Sequence, residues 1–345
     1  MKILIIGVAG FVGSFLSNYL LDNTSLKADL LKAKKRVNRS VELPFKQLKN
    51  IQLFGTLIDN SEIENIWHIK NRLNIFKCDI QDASRVAVVI SKIKPDWVYH
   101  LAALSSAAEE DRHKVFSVNV WGTKNILRSC AKLKKKVRVL LPSTGYVYGS
   151  GDFKKPFSEE SPVTPIGVYA ESKFAMEKEA KEFFGSNLEI IIIRAFNHTG
   201  PKQSPGFVVP AIACQIAEIE QRKKEPVVYV GNLDAIRDFT DVRDVVRAYV
   251  LALIMCKPYE IYNIASGKGF SIREIVFKLL TLSKKKIKIK QDIQRQRTSE
   301  IPVSIGNFKK FHQATSWRPE ISLDKTLEDT LEYWRNRLDT IPKKH

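Results

Sequence analysis

Lys2-Ile3-Leu4-Ile5-Ile6-Gly7-Val8-Ala9-Gly10-Phe11-Val12-Gly13 decides the fold. The apolar, β-branched run Lys2–Ile6 reads as a buried parallel strand. It runs into a G-x-x-G-x-x-G turn, and Phe15, Leu16, Tyr19 and Leu20 follow at helical spacing. In that context the glycines let the backbone approach a pyrophosphate, whose charge rests on the helix N-terminus. The expectation is an α/β fold, a doubly wound parallel sheet, with a dinucleotide lying over Gly7, Gly10, Phe11, Val12 and Gly13.

Length and charge agree with that reading. At 345 residues and 44% hydrophobic, the chain holds one large or two interleaved domains. A net charge of +19 suits an anionic ligand. The basic runs Lys32–Arg39, Lys132–Arg138, Arg222–Lys224 and Lys284–Lys290 lack interleaved aromatics, so they read as solvated faces and nucleic acid is not expected. Cys78, Cys130, Cys214 and Cys256 lie far apart with no metal-ligand spacing, which predicts neither disulfides nor metal and a reducing, cytoplasmic setting. No stretch of 18 apolar residues occurs, so no membrane span is expected.

Outward from the turn, the second strand is expected to end some twenty or more residues on, where an acid would hold the ribose 2'-hydroxyl. Leu30–Arg36 stands there instead. Its Lys34, Lys35 and Arg36 suit a 2'-phosphate and favour NADPH, with NADH possible as well; the bland alternative is a solvated lysine run. Asn74–Ile80 reads as a third strand, with Asp79 and Ile80 beside the adenine or, for Asp79, as a helix cap. Trp97–Ala103 reads as a fourth, its Leu101, Ala102 and Ala103 letting a cofactor pass close to the backbone. Asp111–Leu133 reads as one long helix carrying Asn119, a brace for the site or an ordinary packing residue.

Val137–Leu141 delivers Ser143 and Thr144 to the carboxyl edge of the sheet. Tyr169 and Lys173, four apart on a predicted helix, share one face, so the ammonium is expected to favour phenolate. Alone that pair reads as a surface pair. With Thr144 and the glycine turn it forms a proton-transfer centre beside a nucleotide.

These motifs resemble the extended short-chain dehydrogenase/reductase (NAD-dependent epimerase/dehydratase) family that acts on nucleotide sugars. Arg194–Pro201, Phe207–Pro210, Gly231–Asp244, Tyr262–Gly267 and Arg297–Pro302 are similar to its GDP-mannose-derived branch, most of all to GDP-4-keto-6-deoxy-D-mannose reductases that form GDP-D-rhamnose. The resemblance implies a Rossmann domain over residues 1–193, joined again by 230–255, and a smaller C-terminal α/β substrate-binding lobe over 194–345. It implies substrate contacts at Ser143, Thr144, Asn197, Val208, Arg237, Arg297 and Glu300. Arginine forks suit phosphate and Glu300 suits guanine, although Arg237-Asp238 also reads as an internal ion pair. It implies a homodimer through a four-helix bundle of the helices bearing Asn119 and Tyr169.

One departure stands out. Dehydratases of this kind carry a glutamate two positions after the threonine, and here that position is Tyr146. Reduction at C4 is therefore expected. A GDP-mannose 4,6-dehydratase, a talose- or heptose-forming relative and a non-catalytic NADP-binding regulator are the alternatives. His198, the nearest candidate base for epimerisation, reads as structural.

Overall fold

The computed structural model describes residues 1–37, 50–59, 63–105, 111–295 and 301–340. The opening run forms β1 (Lys2–Ile6), flanked by β2 (Gln52–Leu57) and β4 (Trp97–His100). With β3 (Asn74–Lys77), β5 (Val137–Thr144), β6 (Leu188–Ala195) and β10 (Ile261–Ile264), the described residues form a seven-stranded parallel sheet ordered β10-β6-β5-β4-β1-β2-β3. Successive β1 side chains enter different cores: Ile3 and Ile5 face one, Leu4 and Ile6 the other. A strand buried on both faces has no polar side to show, hence the unbroken apolar run.

One face is covered by α1 (Phe11–Leu21), α2 (Asn23–Val37) and α8 (Val242–Met255). The other is covered by α3 (Ala83–Ile93), α5 (Thr123–Ala131) and α6 (Val168–Lys181). A second, smaller core joins α7 (Val208–Glu220), α9 (Ile272–Thr281) and α11 (Leu323–Thr340) to β8 (Val227–Val230) and β9 (Ile236–Asp241). Among the described residues no helix is long and apolar enough to cross a membrane.

Three sequence expectations are corrected. Residues 30–36 do not end a strand. Leu26, Leu30 and Ala33, buried at spacings of four and three, make this stretch the helix α2, and β2 lies some twenty residues further on. Lys34, Lys35 and Arg36 sit in its last turns, and their side chains lie outside the described residues.

The large domain does not recover 230–255 as a block. β9 pairs with β7 (Asn197–Thr199), β11 (Gly269–Ser271) and β13 (Val303–Ser304) in the smaller lobe, whereas α8 and then β10 return to the large sheet. Phe311 and Trp317 also pack into the large core.

The long helix expected from Asp111 is divided into α4 (Arg112–Phe116), a π-helical turn over Ser117–Gly122, and α5. Such turns occur often at functional sites, and this one carries Asn119.

Candidate active site

The sheet order reverses between β1 and β4, so the carboxyl ends of these strands border a crevice. Gly7, at φ +83°, turns the chain there, and a Cβ on it would stand 3.0 Å from the Ala102 nitrogen. A Cβ on Gly13 would stand 2.2 Å from the Gly7 oxygen. Helix α1 starts beyond Gly10 with no side-chain cap and no acid in its first turn. The Phe11, Val12 and Gly13 amides therefore have no helical acceptor and suit phosphate oxygens. These residues fit a dinucleotide. From outside the turn, Asn65 Nδ2 donates to the Ala9 oxygen at 2.9 Å, and Lys202 Nζ donates to the Asn65 oxygen at 3.0 Å.

Leu101, whose amide donates to the Ile6 oxygen, leads Ala102 and Ala103 past this turn. At the end of β3, Asp79 accepts from the Gln81 amide at 2.9 Å and Ile80 is buried. Asn119 is a brace. Its Oδ1 accepts from the Leu104 amide at 2.9 Å, and its Nδ2 donates to the Leu104 oxygen and to Ser172 Oγ, both at 3.0 Å. Ser172 Oγ in turn donates to the Tyr169 oxygen at 2.8 Å. Asn119 thus joins the loop after β4 to α6.

The proton-transfer centre sits where β5 meets α6. Thr144 Oγ1 accepts from the Tyr146 amide at 3.2 Å. Burial pushes the Tyr169 phenol up to about 12, with the Thr144 hydroxyl pulling the other way and the Tyr146 phenol adding to the rise. Lys173, one turn on, is 5% exposed, and burial brings its ammonium down to about 8 against the opposing pull of Glu177. Its Nζ donates to Met176 Sδ at 3.6 Å. On balance the phenol sits above its ordinary value, opposite to the lowering expected beside an ammonium, because burial is the largest influence on it.

Ser143 is not part of this centre. Neighbours on a strand face opposite ways, so Thr144 enters the crevice while Ser143 Oγ donates to Glu177 Oε1 at 2.5 Å beneath α6. Arg194 grips the same carboxylate through Nε at 3.0 Å and Nη2 at 2.7 Å, inside the protein. Sequence reading missed Glu177. Its signal was a charge four residues after Lys173 on the same helical face.

Across the crevice, Asn197 Nδ2 donates to Tyr146 Oη at 3.0 Å. The Arg237 guanidinium lies 5.9 Å from the Tyr146 ring centre and donates through Nη1 to the Ile236 oxygen at 2.9 Å. Arg237 does not pair with Asp238, which accepts from Ser266, Gly267 and Gly306. Val208 opens α7, and Arg297 and Glu300 lie outside the described residues. His198 stacks on Phe11 at 6.2 Å and donates from Nδ1 to the Phe196 oxygen at 3.2 Å, a structural placement.

A phosphate cradle at the switch point of the sheet, beside a threonine, a tyrosine and a lysine on one strand end and one helix, defines an NAD(P)H-dependent oxidoreductase of the extended short-chain dehydrogenase/reductase class. The chain matches the family described as GDP-mannose 4,6 dehydratase over residues 4–330, and it belongs to that family. It is similar to GDP-6-deoxy-D-mannose reductase of Pseudomonas aeruginosa, 33% identical over 71% of this chain and 82% of that one. It is also similar to GDP-6-deoxy-D-talose 4-dehydrogenase of Aggregatibacter actinomycetemcomitans, 29% identical over 90% of each chain. Among solved structures it resembles RMD from Pseudomonas aeruginosa complexed with NADPH, with a TM-score of 0.77 and 26% identity over 97% of this chain and 99% of that one.

Proposed function

We propose that the protein reduces the C4 ketone of GDP-4-keto-6-deoxy-D-mannose to GDP-D-rhamnose. The observation that carries this reading is the pairing of a protonated acid, Tyr169 at about 12, with a phenol, Tyr146, where elimination would call for a carboxylate. When bound, the reduced nicotinamide supplies the hydride. Tyr169 gives its proton to the oxygen that becomes O4, and Thr144 hydrogen-bonds that oxygen. Lys173 then stabilises the phenolate left behind and binds the nicotinamide ribose. Reduction needs no further acid or base.

Asn197, Val208, Arg237, Arg297 and Glu300 are assigned to the GDP-sugar, arginine to diphosphate and glutamate to guanine. A cytoplasmic homodimer through the helices bearing Asn119 and Tyr169 belongs to the same reading. It is supported by Trp121, an aromatic 55% exposed on the π-helical turn that packs beside α6. The talose-forming alternative rests on the Aggregatibacter relative and differs in the ketone face that meets the hydride. Mixing the protein with GDP-4-keto-6-deoxymannose and NADPH tests the reading. One NADPH should be oxidised per sugar reduced, and no oxidation above the enzyme-free rate would contradict it.

A further inference from the structure

Glu177, buried on α6, has no part in hydride or proton transfer as written above. We propose that it is a positioning residue for that reaction, acting through Lys173: held from β5 and β6, its carboxylate is the counter-charge that keeps the Lys173 side chain an ammonium beside Tyr169. The inference rests on the reductase reading.

Three contacts fix the carboxylate. Ser143 Oγ donates to Oε1 at 2.5 Å, and Arg194 donates to Oε1 through Nε at 3.0 Å and to Oε2 through Nη2 at 2.7 Å. Ser143 and Arg194 stand opposite each other in the register of β5 and β6, one residue before Thr144 and Ala195. The clamp therefore ties α6 to the strand end that carries Thr144. Lys173 lies four residues before Glu177 on the same helical face. It is 5% exposed, and among the described residues its Nζ makes one hydrogen bond, to the weak acceptor Met176 Sδ. A buried ammonium with no carboxylate near it gives up its proton.

The other groups around Lys173 do not supply that charge. Tyr169 keeps its proton. His100, enclosed at the end of β4, is held neutral by burial and then by the Lys173 charge itself. Arg194 of β6 is engaged with Glu177. At Lys173 burial is the largest influence, and the pull of Glu177 opposes it. Removing the carboxylate from a closed site must therefore lower the pH at which Lys173 loses its proton, whereas letting water in must raise it. Charge tuning and loosened packing differ in sign.

The test follows the Lys173 ¹³Cε resonance with pH in ¹³C-lysine-labelled protein, the resonance being assigned by its loss in Lys173→Met. The wild type should titrate at about 8. Glu177→Gln, which keeps the shape and removes the charge, should titrate at about 7 or below. With GDP-4-keto-6-deoxymannose and NADPH its kcat at pH 8 should then fall about fivefold, as roughly a tenth of the molecules carry the charge instead of half. Arg194→Met, which leaves the carboxylate to Lys173, should titrate above the wild type with hydrogen exchange in α6 unchanged. An unmoved or raised value in Glu177→Gln overturns the inference. If that variant does not fold, Arg194→Met decides, and an unmoved value, or a raised one with faster exchange, overturns it. Titrations as predicted without NADPH oxidation by the 4-keto sugar would remove the reductase reading and leave the tuning of Lys173 standing.

Discussion

Tyr169 holds its proton up to about pH 12, so at neutral pH it is an acid awaiting an alkoxide. Tyr169→Phe should bind NADPH as the wild type does while kcat falls about 10²–10⁴-fold, and a loss under tenfold in single-turnover kinetics would contradict the assignment. Lys173 titrates near 8, and its sign runs two ways. Between about 8 and the ordinary lysine range the unfolded chain binds a proton that the folded chain does not, so this group makes stability rise with pH. The charged form that supports the phenolate is lost over the same window. The reduction rate should therefore decline above pH 8 while Lys173 contributes no loss of folding. A Lys173→Met comparison by pH-rate profile and denaturant titration checks both, and a profile flat to the ordinary lysine range contradicts it. Glu177 is enclosed with Arg194, so Glu177→Ala leaves a buried cation unpaired. It should cost about 3–5 kcal/mol in denaturant unfolding, and a cost below about 1 kcal/mol would show that water screens the pair.

At the scale of elements, the cofactor-binding fold and the candidate Tyr169–Lys173 helix were legible because their cues are local: a strand, glycine turn and helix at the start of the chain, and four-residue spacing within α6. Contacts between distant elements were not. Glu177 meets Arg194 and Ser143 only once α6 packs on the sheet, and Asn197 meets Tyr146 only because β6 pairs with β5, Ala195 opposite Thr144. The second strand was misplaced because its position was counted from an average unit, while this chain inserts α2, whose buried Leu26 and Leu30 carry a helical period.

For the molecule as a whole, β9 belongs to the smaller core and pairs with β7, and the crevice takes Thr144 and Tyr169 from the large domain and Arg237 from β9. Asp238 fastens that second side by accepting from Ser266, Gly267 and Gly306, so the guanidinium is held on a fixed wall. A cofactor cradle and a sugar lobe tied this way serve a substrate with a nucleotide handle and a reacting sugar. Whether the protein reduces that sugar or eliminates water from its precursor is the central claim, and one NMR comparison decides it. Purified protein receives GDP-4-keto-6-deoxymannose with NADPH in one tube and GDP-mannose with NADP⁺ in another. The prediction is a C4 alcohol of D-rhamnose configuration in the first tube and unchanged GDP-mannose in the second. A 4-keto-6-deoxy product in the second tube, with the ketone unreduced in the first, would contradict it.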